Sequence, residues 1–140
     1  MTVTFIGHRD TPQNIYSLLY ETVRTLIQND AATAFYVGDR GEFDRMVLRS
    51  LMELKKVYPH IEYQIVLAYM PQRTDESIAF HPNIFPAEVA VAPARFAIDR
   101  RNRWMIEKSD VVVAYVRHSC GGAARFREAA LCKGKRVIDL

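Results

Sequence analysis

The chain of 140 residues is long enough to bury one core, and its 49% hydrophobic and 25% charged residues are those of a globular protein. No apolar run approaches the roughly 18 residues of a membrane helix, and the opening Met1-Thr2-Val3-Thr4-Phe5-Ile6 lacks the basic start and long apolar stretch of a signal peptide. The net charge of +3 is uneven: residues 1–70 carry seven basic and eight acidic side chains, residues 71–140 twelve and eight.

These features predict one cytoplasmic domain over 1–140 with no membrane association. The basic excess gathers around Arg100, Arg101, Arg103, Arg117, Arg125 and Arg127. Arginines near a glycine turn suit phosphate, whereas a nucleic-acid groove is normally more basic and more continuous. Cys120 and Cys132 are too few for a disulfide scaffold and match no zinc spacing. No cluster of histidine and acid residues supports a metal site, and no cofactor is expected.

Thr2 to Gly7 reads as a buried strand. Thr11-Pro12 then reads as an N-cap followed by proline at the first helical position. Ile15, Leu18, Leu19, Val23, Leu26 and Ile27 follow at helical spacing, and Asn29-Asp30 ends that helix. Thr33 to Val37 is a second strand. Gly38-Asp39-Arg40-Gly41 turns into a second amphipathic helix with Phe43, Met46, Val47, Leu51 and Leu54 on its apolar face. Pro59 stops it, and Tyr63 to Tyr69 is a third strand.

Residues 70–92, with Pro71, Pro82 and Pro86, read as a long loop, with a short strand near Ile84 to Val91 as a further reading. Cover over a site and disorder are both open for it. A helix runs from Pro93 to Ser109-Asp110, followed by the apolar strand Val111 to Val116. The turn Cys120-Gly121-Gly122 opens a last helix to Lys133, Gly134 caps it, and Val137-Ile138 begins a final strand. Alternating strands and helices of this kind predict a single Rossmann-like α/β domain with a mainly parallel sheet flanked by helices.

In such a sheet ligands bind beyond the carboxyl ends of the strands, near the switch in strand order. Three segments fall at those ends: Gly7-His8-Arg9, Gly38-Asp39-Arg40-Gly41 and Cys120-Gly121-Gly122-Ala123. A glycine turn into a helix lets a phosphate or ribose approach free backbone N–H groups at the positive end of the helix dipole. There is neither a GxxxxGK[ST] loop nor a full GxGxxG after the first strand. Glu128, two turns into the last helix, is placed to face the same mouth.

These residues carry a family resemblance. Phe5-Ile6-Gly7-His8-Arg9, the stretch from Arg101-Asn102-Arg103-Trp104-Met105 to Ser109-Asp110, and Ala114-Tyr115-Val116-Arg117-His118 ahead of the diglycine resemble the SLOG superfamily. That group joins the LOG phosphoribohydrolases to the DNA-processing protein DprA; more narrowly, the chain resembles its short phage- and Firmicutes-type members related to YpsA. The LOG motif proline-glycine-glycine-x-glycine-threonine-x-x-glutamate is matched at Gly121, Gly122 and Glu128. Cys120 stands for the proline, and Ala124 and Arg125 replace the later glycine and threonine. The upstream arginine of the family corresponds to Arg101.

The resemblance implies a small nucleotide-derived ligand with ribose and phosphate. Gly7, His8, Arg9, Gly38, Asp39, Arg40, Gly41, Arg117, Gly121, Gly122, Ala123 and Arg125 would bind it. Because the phosphate turn departs from the enzymatic pattern, a sensor or sequestering role is favoured. The alternatives are a nucleotide N-glycosidase using Glu128 and Arg101, and single-stranded DNA binding of the DprA type. Two sequence details stay open. Arg125 either adds a cation for a diphosphate such as that of ADP-ribose or points to solvent. His118 either meets ligand or serves its loop. Trp104 reads as packing, and the resemblance implies self-association through a helix face near Trp104 and Met105.

Overall fold

The computed structural model describes residues 1–70 and 81–140. Strand β1 (Thr2–Ile6) leads through a 3₁₀ turn to helix α1 (Tyr16–Asn29), then β2 (Ala34–Val37), α2 (Gly41–Val57) and β3 (Glu62–Val66). After residue 80 come β4 (Asn83–Ile84), the single turn α3 (Ala87–Ala90) and α4 (Ala97–Glu107). Then β5 (Val111–Ala114), α5 (Gly122–Cys132) and β6 (Arg136–Asp139) complete the chain. Six strands form one sheet in the order β4-β3-β2-β1-β5-β6, and every pair in it is parallel.

The alternation of side chains along each strand divides the core between the two faces of this sheet. Val3 and Phe5 of β1 and Val111 and Val113 of β5 face one side, where Leu19, Val23 and Leu26 of α1 and Phe43, Met46 and Leu51 of α2 cover them. Ile6 and Val112 face the other side, under Ile106 of α4 and Phe126 and Ala130 of α5. All four residues of β5 are buried, as a central parallel strand with helices on both faces requires. Right-handed crossovers running outward from β1 in opposite directions place α1 and α2 on one face and α4 and α5 on the other. The order therefore switches between β1 and β5, and the crevice at their carboxyl ends lies between the two helical layers.

Two local expectations are revised. Thr11 does not cap a helix: its Oγ1 donates to the His8 carbonyl at 2.7 Å, closing the turn after β1, and the helix begins as a 3₁₀ turn behind Pro12. The strand expected from Ile84 to Val91 is confined to Asn83–Ile84, because Pro86 has no N–H to give the ladder and Ala87–Ala90 turns helical to bury Val89. Of the loop expected over residues 70–92, residues 71–80 lie outside the described residues. Among the described residues, no helix is long and apolar enough to cross a membrane.

Candidate functional site

A cleft of about 440 Å³ opens at the carboxyl ends of β1 and β5, between α2, α4 and α5. It gathers Gly7, His8, Arg9, Arg40, Arg101, Gly122, Ala123 and Arg125 from four separate parts of the chain. Beneath them Ile6, Met105 and Phe126, all buried, form an apolar floor. Gly38, Asp39, Gly41, Arg117, Gly121 and Glu128 do not line it.

The β2–α2 wall is filled from within. Arg101 is 2% exposed, and two of its three guanidinium nitrogens are spent on the protein: Nη1 donates to Asp39 Oδ1 at 2.8 Å and to the Val66 carbonyl at 3.1 Å, and Nε donates to Asn102 Oδ1 at 2.8 Å. Asp44 Oδ2 accepts the Arg40 backbone N–H at 2.9 Å, tying the entry of α2 to its first turn. Burial pushes the Asp44 carboxyl up to about 6, against the opposing pull of Arg101 and of the Arg40 N–H.

Glycines make this packing fit. A Cβ at Gly38 would stand 2.5 Å from Asp44 Oδ2 and 3.0 Å from Arg101 Nη1. One at Gly7 would overlap the Phe43 ring, and one at Gly41, which has φ +88°, would meet the Arg9 Cα at 2.8 Å. These three glycines answer to protein neighbours.

The β5–α5 turn is different. Gly121 has φ +104°, a conformation that L side chains rarely adopt, and it turns the chain into α5. Gly122 has no such backbone requirement. Among the described residues nothing lies within 4 Å of a Cβ placed at Gly122, and it borders the cleft. The first N–H groups of α5, an 11-residue helix, start at this bare position.

Around the mouth stand the exposed side chains Arg9, Arg40, Arg95 and Arg125. Arg125 Nη2 donates to Asp99 Oδ1 at 2.7 Å, and Asp99 is shared with Arg103 Nε, also at 2.7 Å. Arg40 lies 5.1 Å from the centre of the Tyr69 ring. The basic cluster of the sequence is thus largely dispersed into local pairs. Arg127 grips Asp139 with two hydrogen bonds of 2.7 Å, which hold the Asp139 carboxyl below its usual range. Arg117 donates from Nη2 to the Leu140 carbonyl at 2.8 Å, away from the cleft.

His8 joins the two strands of the switch. Its Nε2 accepts the Arg117 backbone N–H at 2.9 Å, so the ring is an acceptor there. Partial burial and the neighbouring His118, with ring centres 4.7 Å apart, lower its basicity.

Glu128 does not face this mouth. It is exposed and borders a separate depression with His118, Arg127 and Asp139. The helical period explains this: Gly122 and Phe126 share the stripe of α5 that turns toward the cleft floor, and Glu128 lies off it. Met105, expected at a self-association face, is buried on the cleft floor, and Trp104 packs edge-on against Tyr36 at 5.0 Å between ring centres.

The sequence reading missed Asp44, Arg95, Ile98, Asp99, Asn102 and Met105 as parts of the cleft. A signal for four of them was present: positions 95, 98, 102 and 105 recur at helical spacing and form one stripe. Among the described residues no group of three or more metal-ligating side chains comes together.

The sequence matches no protein-family model and no curated protein. Its fold is similar to that of a solved structure, DNA processing protein A (DprA) from Streptococcus pneumoniae, with a TM-score of 0.72 and 15% sequence identity. The match covers 99% of this chain and 49% of that one, so the chain spans about half the length of its structural neighbour. It shares the Rossmann-like α/β fold of DprA.

Proposed function

We propose that the chain is a SLOG-type domain that binds a nucleotide or nucleotide-derived ligand, with ribose and at least one phosphate, as a sensor or sequestering protein. The observation that carries this reading is Gly122. It begins a helix, borders the cleft, and lacks a side chain for no reason of backbone or packing within the described chain. A phosphate set there would meet the first N–H groups of α5, and Arg125, Arg9, Arg40 and Arg95 are close by to neutralise it.

Binding without turnover is favoured because the residues assigned to cleavage are apart. Glu128 borders another depression, and Arg101 gives its Nε and Nη1 to Asn102, Asp39 and Val66. A phosphoribohydrolase would need a positioned acid or base at the glycosidic nitrogen, which Glu128 does not supply from its position.

Incubation with nucleoside monophosphates, ADP-ribose, NAD and cyclic ADP-ribose isomers, followed by chromatography with mass detection, tests both parts. Intact ligand recovered on the wild type and lost on Gly122→Val is the expected result. Unchanged binding of every nucleotide by Gly122→Val overturns the site; free base absent from a Glu128→Ala control overturns the sensor reading.

A second reading has its own support. Exposed arginines ring the mouth, and the neighbour of known structure is named as a DNA processing protein. Single-stranded DNA binding would show affinity falling steeply with salt and reduced by several of Arg9, Arg40, Arg95 and Arg125 together. A small ligand gives a shallow slope.

A further inference from the structure

We infer that the inner part of the cleft receives the base of the nucleotide, and that Asn102 reads a hydrogen-bond acceptor on its edge. The inference rests on the cleft being a nucleotide site and adds which end of the ligand lies where.

Asn102 lies on α4 between Ile98 and Met105, four and three residues away, so the three form one stripe, and all three line the cleft. An amide between two apolar side chains is a poor seat for a phosphate, which needs several donors or a cation. It is a good seat for a flat ring that offers one polar edge and an apolar face. The floor opposite is of the same character, with Ile6 from β1 and Phe126 from α5. The guanidinium groups of Arg9, Arg40, Arg95 and Arg125 stand in exposed positions around the mouth.

The amide is held in one orientation. Arg101 Nε donates to Asn102 Oδ1 at 2.8 Å, and Arg101 is itself locked by Asp39 Oδ1 at 2.8 Å and the Val66 carbonyl at 3.1 Å. Since an arginine can only donate, the atom facing it must be the amide oxygen. The NH₂ group is left over. Among the described residues it has no hydrogen-bond partner, and it is not a buried orphan, so it is open to what enters the cleft. A donor fixed in this way selects an acceptor: a ring nitrogen or a carbonyl oxygen, both present on nucleobases. In this arrangement Arg101 is a positioning residue that sets the polarity of Asn102 from below.

The test compares the four nucleoside 5′-monophosphates with ribose 5-phosphate by calorimetry, on the wild type, Asn102→Ala and Gly122→Val. At least one monophosphate should bind the wild type about tenfold tighter than ribose 5-phosphate, the order of one well-placed hydrogen bond and its flanking apolar contact. Asn102→Ala should narrow that ratio at least threefold and leave ribose 5-phosphate affinity unchanged. Gly122→Val should weaken both ligands together. If Asn102→Ala destabilises the fold in a melting scan, Asn102→Asp replaces it. That variant keeps an acceptor for Arg101 but turns the open donor into an acceptor, and the same ratio should narrow.

Equal binding of ribose 5-phosphate and every monophosphate by the wild type overturns the base assignment, as does a ratio that no Asn102 variant changes. In those cases Gly122→Val still tests the phosphate site separately. If no compound binds the wild type, the nucleotide reading and the base assignment fall together.

Discussion

The two glycine-bearing walls of the cleft are built alike in sequence and differently in space. On the β2–α2 side Gly7, Gly38 and Gly41 are bare because Phe43, the Asp44 and Arg101 pair, and the Arg9 backbone occupy the space a side chain would need. On the β5–α5 side Gly122 is bare against open space. A glycine turn at the end of a strand is therefore two different things. One is a packing device that lets polar and aromatic side chains close over the sheet; the other leaves a helix N-terminus accessible. What the contrast teaches is that the Arg101 and Asp39 charges on the first wall are internal and structural, whereas on the second the helix N-terminus at Gly122 is open.

Substitutions can break that contrast. The largest effect should come from Arg101→Met, which leaves the nearly buried Asp39 carboxylate with only the longer contact to Arg40 Nε at 3.7 Å in place of its 2.8 Å partner. Removing one member of a buried pair costs about 3–5 kcal/mol, read as a lower midpoint in urea unfolding. A cost below about 1 kcal/mol would show that the Arg101 and Asp39 pair does not hold this wall. Gly7→Ala should follow at about 2–3 kcal/mol, because the new methyl must displace the Phe43 ring from a close-packed core; a variant with wild-type stability would remove the packing account of this glycine.

Acidity sharpens the comparison further. With the Asp44 carboxyl at about 6 against 3.8 in an open chain, the folded state keeps a proton between about pH 4 and 6 that the unfolded chain has released. This group therefore contributes less stability as pH rises through that window. Asp44→Asn should gain on the wild type in melting temperature from pH 4.5 to pH 7, while its amide oxygen still accepts from Arg40; a constant difference at all pH values would rule this out.

His8 works in the opposite direction. Its basicity is lowered by burial and by His118, so the neutral ring is favoured in the fold, and this contribution is lost as pH falls below about 6.5. His8→Phe should flatten the acid side of the stability profile. Unaltered pH dependence in the variant would mean that the bond from the Arg117 N–H does not depend on the ring's charge.

The smallest change belongs to the second wall. Gly122→Ala adds a methyl to open space at a helical position and should alter stability by no more than about 1 kcal/mol, in the favourable direction. A clear loss of stability would show that Gly122, like Gly7, answers to the protein.

The fold was legible because its signals are local and repeated. The unbroken apolar run of β5 says that both its faces are covered, and apolar residues three or four apart in α1 and α2 say which face of each helix is buried, before any partner is known. The alternation of strand and helix, with right-handed crossovers, then leaves few topologies. The ends of the strands are marked for the same reason, and Gly7, His8, Arg9, Arg40, Gly122, Ala123 and Arg125 at or just beyond those ends line the cleft.

What the sequence could not decide is what each polar side chain does on arrival, since that depends on partners far away in the chain. Arg101 and Asp39 are 62 residues apart and meet at 2.8 Å. Arg117 is drawn to the Leu140 carbonyl 23 residues on. Glu128 is two turns from Gly122, but the helical period carries it off the stripe that meets the cleft. Local periodicity determined the layers and the sheet; only the tertiary structure decided which charges neutralise one another in the wall and which remain at the mouth, because ion pairing is a matter of distance in space and leaves no period in the sequence.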